Sequence, residues 1–263
     1  MGEACEVIRS NYDHPAALAT ACAKSGSWLV HFSTSEIYGR TAPDSGELEE
    51  DSTPAVFGPV TASRWSYATA KLLAERFIAG LPDLKWTVVR PFNFVGPYMD
   101  FMPGVDGEGI PRVLANFSTA LLRGEPLKLV NGGKAKRCFT SVHDAVDFLF
   151  ALFAAGSGTA PGVFSQAFNV GNSENEVSIA ELAGKMRSIF AKVRGVDVST
   201  LPEPQIVSGE EYYGAGYDDS MRRMPSVAKA QRLLGFKARI PLEVALEESL
   251  SWFVKHYDTG ASS

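Results

Sequence analysis

Tyr67 and Lys71 stand four residues apart in the stretch 64–77, RWSYATAKLLAERF. The stretch is rich in helix formers and free of Gly and Pro, and positions i and i+4 of a helix share a face. A phenol titrates near pH 10 and is a weak base at neutrality, but a neighbouring ammonium favours its phenolate. Such a pair can take the proton of an alcohol as hydride leaves the same carbon. The spacing also arises by chance, and a surface Lys beside a half-buried Tyr is the plain alternative. On this reading Leu72, Leu73 and Phe77 face a core while Tyr67 and Lys71 share another side.

The neighbouring elements must hold that pair in place. Residues 15–24, PAALATACAK, read as a helix with Pro in its first turn. WLVHF (28–32) and WTVVR (86–90) are short apolar runs and read as buried strands. The first runs into STSEIYG and the second into PFN. Helix, strand, loop, helix and strand in alternation predict an α/β fold around a parallel sheet. Ligands of such sheets bind beyond the carboxyl ends of the strands, where STSE and RPFN fall. The Pro-, Gly- and acid-rich stretch 41–63 reads as a long loop. Further helices are expected at 112–122, 143–154, 178–192, 227–234 and 241–256. Ser178 and Glu181 form a capping box at the third of these. Strands are expected at 127–130, 138–142 and 167–170, and the terminal GASS reads as a frayed tail.

Composition narrows the classes. The chain has 263 residues, 45% of them hydrophobic, and a formal net charge of -5. That describes a globular protein without the basic character that attracts nucleic acid. The apolar runs are too short to span a bilayer, and the N-terminus lacks a secretory pattern. Cys5, Cys22 and Cys138 are odd in number and widely spaced. They fit reduced thiols in a cytoplasmic protein better than a disulfide framework or a zinc site.

STSEIYG, YATAK, RPFNFVGP and RCFTSVHD, in this order, resemble the extended short-chain dehydrogenase/reductases of the NAD-dependent epimerase/dehydratase family that act on nucleotide sugars. The chain is most similar to bacterial UDP-glucuronate oxidative decarboxylases and to plant UDP-apiose/UDP-xylose synthases, from about Glu6 to the last helix. The resemblance implies a Rossmann-like doubly wound parallel sheet. Residues 1–97 would be the remainder of a dinucleotide-binding domain, and 98–263 mainly a UDP-sugar-binding region with some segments returning to the sheet. The glycine-rich GxxGxxG turn that opens this family does not precede STSE here, so the opening βαβ unit and half of the NAD cradle are expected to be missing.

Carried over position by position, the resemblance makes Tyr67 the base and Lys71 its partner, both also touching NAD. Thr34 becomes the hydroxyl beside Tyr67, and Ser35, Glu36 and Arg223 the groups of decarboxylation. Asn93, Arg112, Lys128, Arg137 and Tyr217 become UDP-sugar contacts. Arg137 is the phosphate candidate, because a guanidinium matches phosphate in a fork, and Tyr217 the candidate to stack on uracil. Arg222 reads as a solvated neighbour, and Arg223 as part of an irregular segment. The implied reaction is NAD-dependent oxidative decarboxylation of UDP-glucuronate to a UDP-4-keto-pentose or UDP-xylose, by a homodimer or higher homo-oligomer. In plant apiose-forming enzymes the Ser35 position is Cys, so Ser35 favours the decarboxylase. The other class left open is a UDP-sugar-binding or assembly subunit without turnover.

Overall fold

Trp28–Phe32 is the first strand among the described residues, and residues 3–25 before it are helical. A computed structural model describes residues 3–107, 112–157, 162–214 and 217–258; the GASS tail and residues 108–111 of the loop after Tyr98 lie outside them. The elements are α1 (Glu3–Ile8), a π-helical turn (Arg9–Asp13), α2 (His14–Ser25), β1 (Trp28–Phe32), α3 (Ser66–Gly80), β2 (Lys85–Pro91) and β3 (Phe94–Val95). Next come α4 (Val113–Arg123), β4 (Lys128–Val130), β5 (Lys136–Cys138), β6 (Thr140–Ser141), α5 (Val142–Ser157), β7 (Gln166–Val170), β8 (Glu176–Ser178) and α6 (Ile179–Arg194). The last are β9 (Gln205–Val207), α7 (Gly209–Tyr213), β10 (Arg222–Arg223), α8 (Ala228–Leu234) and α9 (Leu242–Tyr257).

The main sheet has the order β1–β2–β7, parallel throughout, with Trp28 opposite Lys85 and Thr87 opposite Gln166. The strands predicted for this sheet are therefore correct and their carboxyl ends lie along one edge, whereas the single strand expected at 138–142 is split between β5 and β6, with Val142 opening α5. Ala19, Leu29, Ile78 and Leu84 pack α2 and α3 on one face. Val89, Phe148, Leu152 and Phe168 pack α5 on the other. A second core joins α4, α6 and α9 through Leu114, Phe117, Met186, Phe190, Leu246 and Leu250. The Ser178–Glu181 capping box is present at the start of α6. The cysteines Cys5, Cys22 and Cys138 are free. Among the described residues no helix is long and apolar enough to cross a membrane.

Two local expectations change. The first helix starts well before Pro15, because nothing from Glu3 onward breaks it. Pro15 has no N–H to give and its ring crowds the carbonyl of Asn11. The ladder opens there into the π-helical turn Arg9–Asp13. In α3, Leu73 is exposed, while Ala70, Ala74 and Ile78 are buried. These three repeat every four residues, and the small alanines let the helix axis approach the sheet closely. Packing therefore favours the alanine stripe over Leu73, while Leu72 and Phe77 pack against buried clusters as expected.

Loop 41–62 has no helix or strand of its own, yet it is tied down. Gly39, at φ 72°, pairs with Val56, and a side chain there would run into the Val56 carbonyl. Leu48 N–H donates to Met224 O at 2.7 Å, and Ser226 N–H to Leu48 O at 2.9 Å.

His31 of β1 is buried, and its Nε2 has no partner. Burial, then the charge of Lys71, lowers its pKa from 6.5 to about 4. The unfolded chain binds this proton more tightly, so the contribution is full above pH 6.5 and is lost as pH falls toward 4. The gap of about 2.5 units corresponds to roughly 3 kcal/mol. His31→Leu should therefore flatten the acid dependence of stability. Urea unfolding between pH 7 and pH 4.5 should show a smaller loss in the variant, by about 2 kcal/mol; equal losses would contradict it.

Candidate active site

At the carboxyl end of β1 the chain turns from Ser33 into a 3-10 helix, Ser35–Tyr38. Thr34 precedes it in extended conformation and its hydroxyl accepts from Glu36 N–H at 3.2 Å. This turn carries Thr34, Ser35 and Glu36 past the sheet edge, toward the first turn of α3 and Tyr67. A cavity of about 650 Å³ opens there, lined by Thr34, Ser35, Glu36, Tyr67, Asn93 and Arg223 among others. A second cavity, of about 390 Å³, is lined by Arg64, Asn116, Lys128, Arg137, Tyr217 and Asp219 among others. Glu36, Asn93, Arg112 and Arg223 line both, so two chambers share one boundary. All the residues expected to act on the sugar or to bind UDP line one chamber or both. Lys71 stands behind Tyr67 instead. Its Nζ donates to Phe32 O at 2.9 Å and lies 6.0 Å from the Tyr67 ring centre.

The boundary is an ion-pair cluster. Arg64 lies one helical turn before Tyr67 and holds Glu36 at 2.6 Å and Asp219 at 3.3 Å. Arg137 holds Asp219 at 2.9 Å, and Arg223 reaches Glu36 at 3.4 Å. Burial raises the pKa of Glu36, but Arg223 and Arg64 outweigh it and keep the carboxyl below its ordinary range. Asp219 is lowered in the same way, with burial opposed by Arg137, Arg223 and Arg64. Burial, then the charge of Arg223, brings Arg137 down to about 10. Three guanidinium groups against two carboxylates leave this corner positive, which suits an anion.

Three expectations need correction. Arg223 is not on an irregular segment: it lies on β10, which pairs parallel with β5 and sets Arg223 opposite Arg137. Arg222 is not a solvated neighbour, because its Nε donates to Glu176 at 2.7 Å and its head reaches Ser45 O. The Tyr67 phenol is not lowered: burial, then Glu36, raises its pKa, against a hydrogen bond from Thr34. The Lys71 ammonium stays near the ring, on the Phe32 carbonyl, but does not outweigh the burial of the phenol.

The expected UDP contacts have internal partners as well. Arg112 donates to Asp100, Phe94 O and Met99 O, and so staples the loop before α4. Asn93, held at φ 41°, donates to Cys138 O at 2.8 Å. Tyr217 lies flat on Tyr213, ring centres 4.6 Å apart at 10°, and donates to Asp219. Lys128 sits 5.7 Å from the Tyr212 ring centre. Arg64, Asp219, Asn116 and Tyr212 were not picked out from the sequence. Arg64 had a readable signal, one turn before Tyr67; Asp219 and Tyr212 flank the expected Tyr217, and Asn116 follows Arg112 by four residues, but no spacing singled them out.

The residues present fit one end of a nicotinamide dinucleotide. Ser33 Oγ is buried without a partner beside the larger cavity, and the Thr34 and Tyr67 side chains line it. That is a donor set for a ribose and a carboxamide. Among the described residues before β1 there is no glycine-rich turn that would cradle a pyrophosphate.

A UDP-D-apiose/UDP-D-xylose synthase of Oryza sativa subsp. japonica is 43% identical over 96% of the chain, and UDP-D-apiose/UDP-D-xylose synthase 2 of Arabidopsis thaliana is 41% identical over 94%. The chain spans 67% of the length of each. Among solved structures, the PbgP3 protein from Burkholderia pseudomallei matches 97% of the chain and 71% of its own, at 28% identity and a TM-score of 0.80. MoeE5, solved with UDP-glucuronic acid and NAD, matches 93% of the chain and 71% of its own, at 28% identity and a TM-score of 0.68. Residues 1–171 match the model of the NAD dependent epimerase/dehydratase family, and the chain belongs to that family.

Proposed function

We propose that the chain binds UDP-glucuronate across the two chambers, oxidises its C4 hydroxyl with NAD, and releases carbon dioxide to give a UDP-4-keto-pentose. The observation that carries this reading is the shared boundary. Alcohol chemistry at Thr34 and Tyr67 lies on one side, a cationic pocket for the diphosphate lies on the other, and Glu36 and Arg223 stand between. The sugar then lies at the boundary with its uronate carboxylate toward Arg223.

NAD, when bound, accepts the hydride from C4. Tyr67 takes the C4 hydroxyl proton, with the Thr34 hydroxyl donating to the phenolate. The product is a ketone β to the C6 carboxylate, and such an acid loses carbon dioxide because the carbonyl takes up the electron pair as an enolate. Arg223 binds the carboxylate and steadies the developing charge, since a guanidinium does not give up its proton. Glu36 orients a water or the Ser35 hydroxyl for reprotonation at C5. Lys128 and Arg137 face the diphosphate.

A second reading, formation of UDP-apiose together with UDP-xylose, shares every step up to decarboxylation, and the similarity to the plant UDP-apiose/UDP-xylose synthases favours it. Product analysis after incubation with UDP-glucuronate and NAD separates the two. A 4-keto-pentose alone supports the first, apiose supports the second, and neither carbon dioxide nor NADH supports a subunit without turnover. A cytoplasmic homodimer completes the reading.

Tyr67→Phe should lower NADH formation by about 10²–10⁴-fold while leaving UDP affinity as in the parent. The raised phenol implies that parental kcat/KM climbs with pH above 7, since the base form is scarce at neutrality. The variant should lose that climb, and wild-type rates in it would remove Tyr67 as the base.

Glu36→Gln and Arg223→Met should abolish carbon dioxide release yet bind UDP about as well as the parent. Unchanged carbon dioxide release by both would take them out of the mechanism.

Arg137→Ala should weaken UDP and UDP-glucuronate alike, read by calorimetric titration. Parental affinity for UDP would show that Arg137 serves only its internal partners Asp219 and Ser220.

A further inference from the structure

Behind the two chambers lies a second polar cluster, deeply buried and sealed from both. Arg90 on β2 is only 7% exposed and forks onto Glu75 of α3, Nε to Oε1 at 3.1 Å and Nη2 to Oε2 at 2.7 Å. Its remaining head nitrogen donates to the Tyr38 hydroxyl at 2.9 Å and to Glu50 O at 3.1 Å. Tyr38 in turn donates to Asn169 of β7 at 2.7 Å. One guanidinium thus joins α3, the 3-10 helix that carries Glu36, and loop 41–62 to the strand that leads to Asn93.

The position of Glu75 gives this cluster a consequence for catalysis. Glu75 follows Lys71 by four residues in α3, the spacing at which a helix brings opposite charges together. Left free, that carboxylate would draw the Lys71 ammonium along the helix, away from Tyr67. Instead both of its oxygens are held by Arg90, and Lys71 Nζ stays on Phe32 O at 2.9 Å, near the Tyr67 ring.

We infer that Arg90 is a positioning residue that sequesters Glu75 and so keeps the Lys71 ammonium at the catalytic tyrosine. This rests on the roles of Tyr67 and Lys71 proposed above. The groups facing Lys71 are Tyr67 and Glu75 on α3 and His31 on β1. Those facing Arg90 are Glu75, Tyr38 and Glu50. His31 is held neutral near pH 7 by burial, so Glu75 is the one anion on α3 able to compete for Lys71. Burial already lowers the Lys71 ammonium and Glu75 opposes it, so a released Glu75 would raise it further.

The test is a ¹³C NMR titration of the Lys71 side chain in the full chain, assigned with Lys71→Met and requiring no turnover. In Arg90→Gln the freed Glu75 should raise the Lys71 pKa by about one unit. In the pair Arg90→Gln/Glu75→Gln, where two amides can still hydrogen-bond, it should not rise. If Arg90→Gln fails to fold, Arg90→Lys keeps the charge and loses the fork, and should give a smaller rise. Where UDP-glucuronate turns over, the alkaline climb of kcat/KM should move to higher pH in Arg90→Gln and return in the double variant. A merely structural role would lower the unfolding temperature of the single variant and leave both titrations in place. An unchanged Lys71 titration in the folded single variant overturns the inference. Absence of turnover in the parent would count against the proposed function and leave the NMR result intact.

Discussion

One carboxylate held between two guanidinium groups decides how this site is built. Removing Glu36 from water costs several kcal/mol, and only Arg64 and Arg223 together keep it charged where it stands. Each comes from a different part of the chain: Glu36 from the turn after β1, Arg64 from just before α3, Arg223 from β10. The cluster is therefore a constraint on folding as well as a feature of the site. The three segments must converge or a buried charge is left alone.

Convergence is supplied by the parallel sheet. Because β1 and β2 run in the same direction in register, both end at one edge and deliver Thr34 and Asn93 to the same opening. The α3 helix that returns between them lays Tyr67 across that opening. The short parallel pairing of β10 with β5 then fixes Arg223 opposite Arg137. None of these pairings is long, and the side-chain bonds of Arg222 to Glu176 and Ser45 brace the shortest.

The same residue types serve two separate purposes in two separate clusters. In the chambers, arginines outnumber carboxylates and an anion is welcome. Behind the sheet, Arg90 forks onto Glu75, with Tyr38 and Asn169 completing the hydrogen bonds. A balanced buried cluster is fixed and specific, whereas an unbalanced one is receptive.

The sequence by itself determined the α/β class, the bounds of β1 to the residue, the capping box at α6 and the Tyr67–Lys71 face, because these follow from local periodicity and turn chemistry. Motif order carried Thr34, Glu36, Asn93, Arg137 and Arg223 as well. Tertiary structure decided the rest. The burial of Ala70, Ala74 and Ile78 in place of Leu73 depends on how closely α3 can approach the sheet, which no heptad count reveals. The roles of Arg64 and Asp219 depend on a contact between residues 155 positions apart in the chain. The raised phenol of Tyr67 depends on how much water is excluded and on where Glu36 is held. Charge balance and desolvation are properties of assembled space, and spacing along the chain does not encode them.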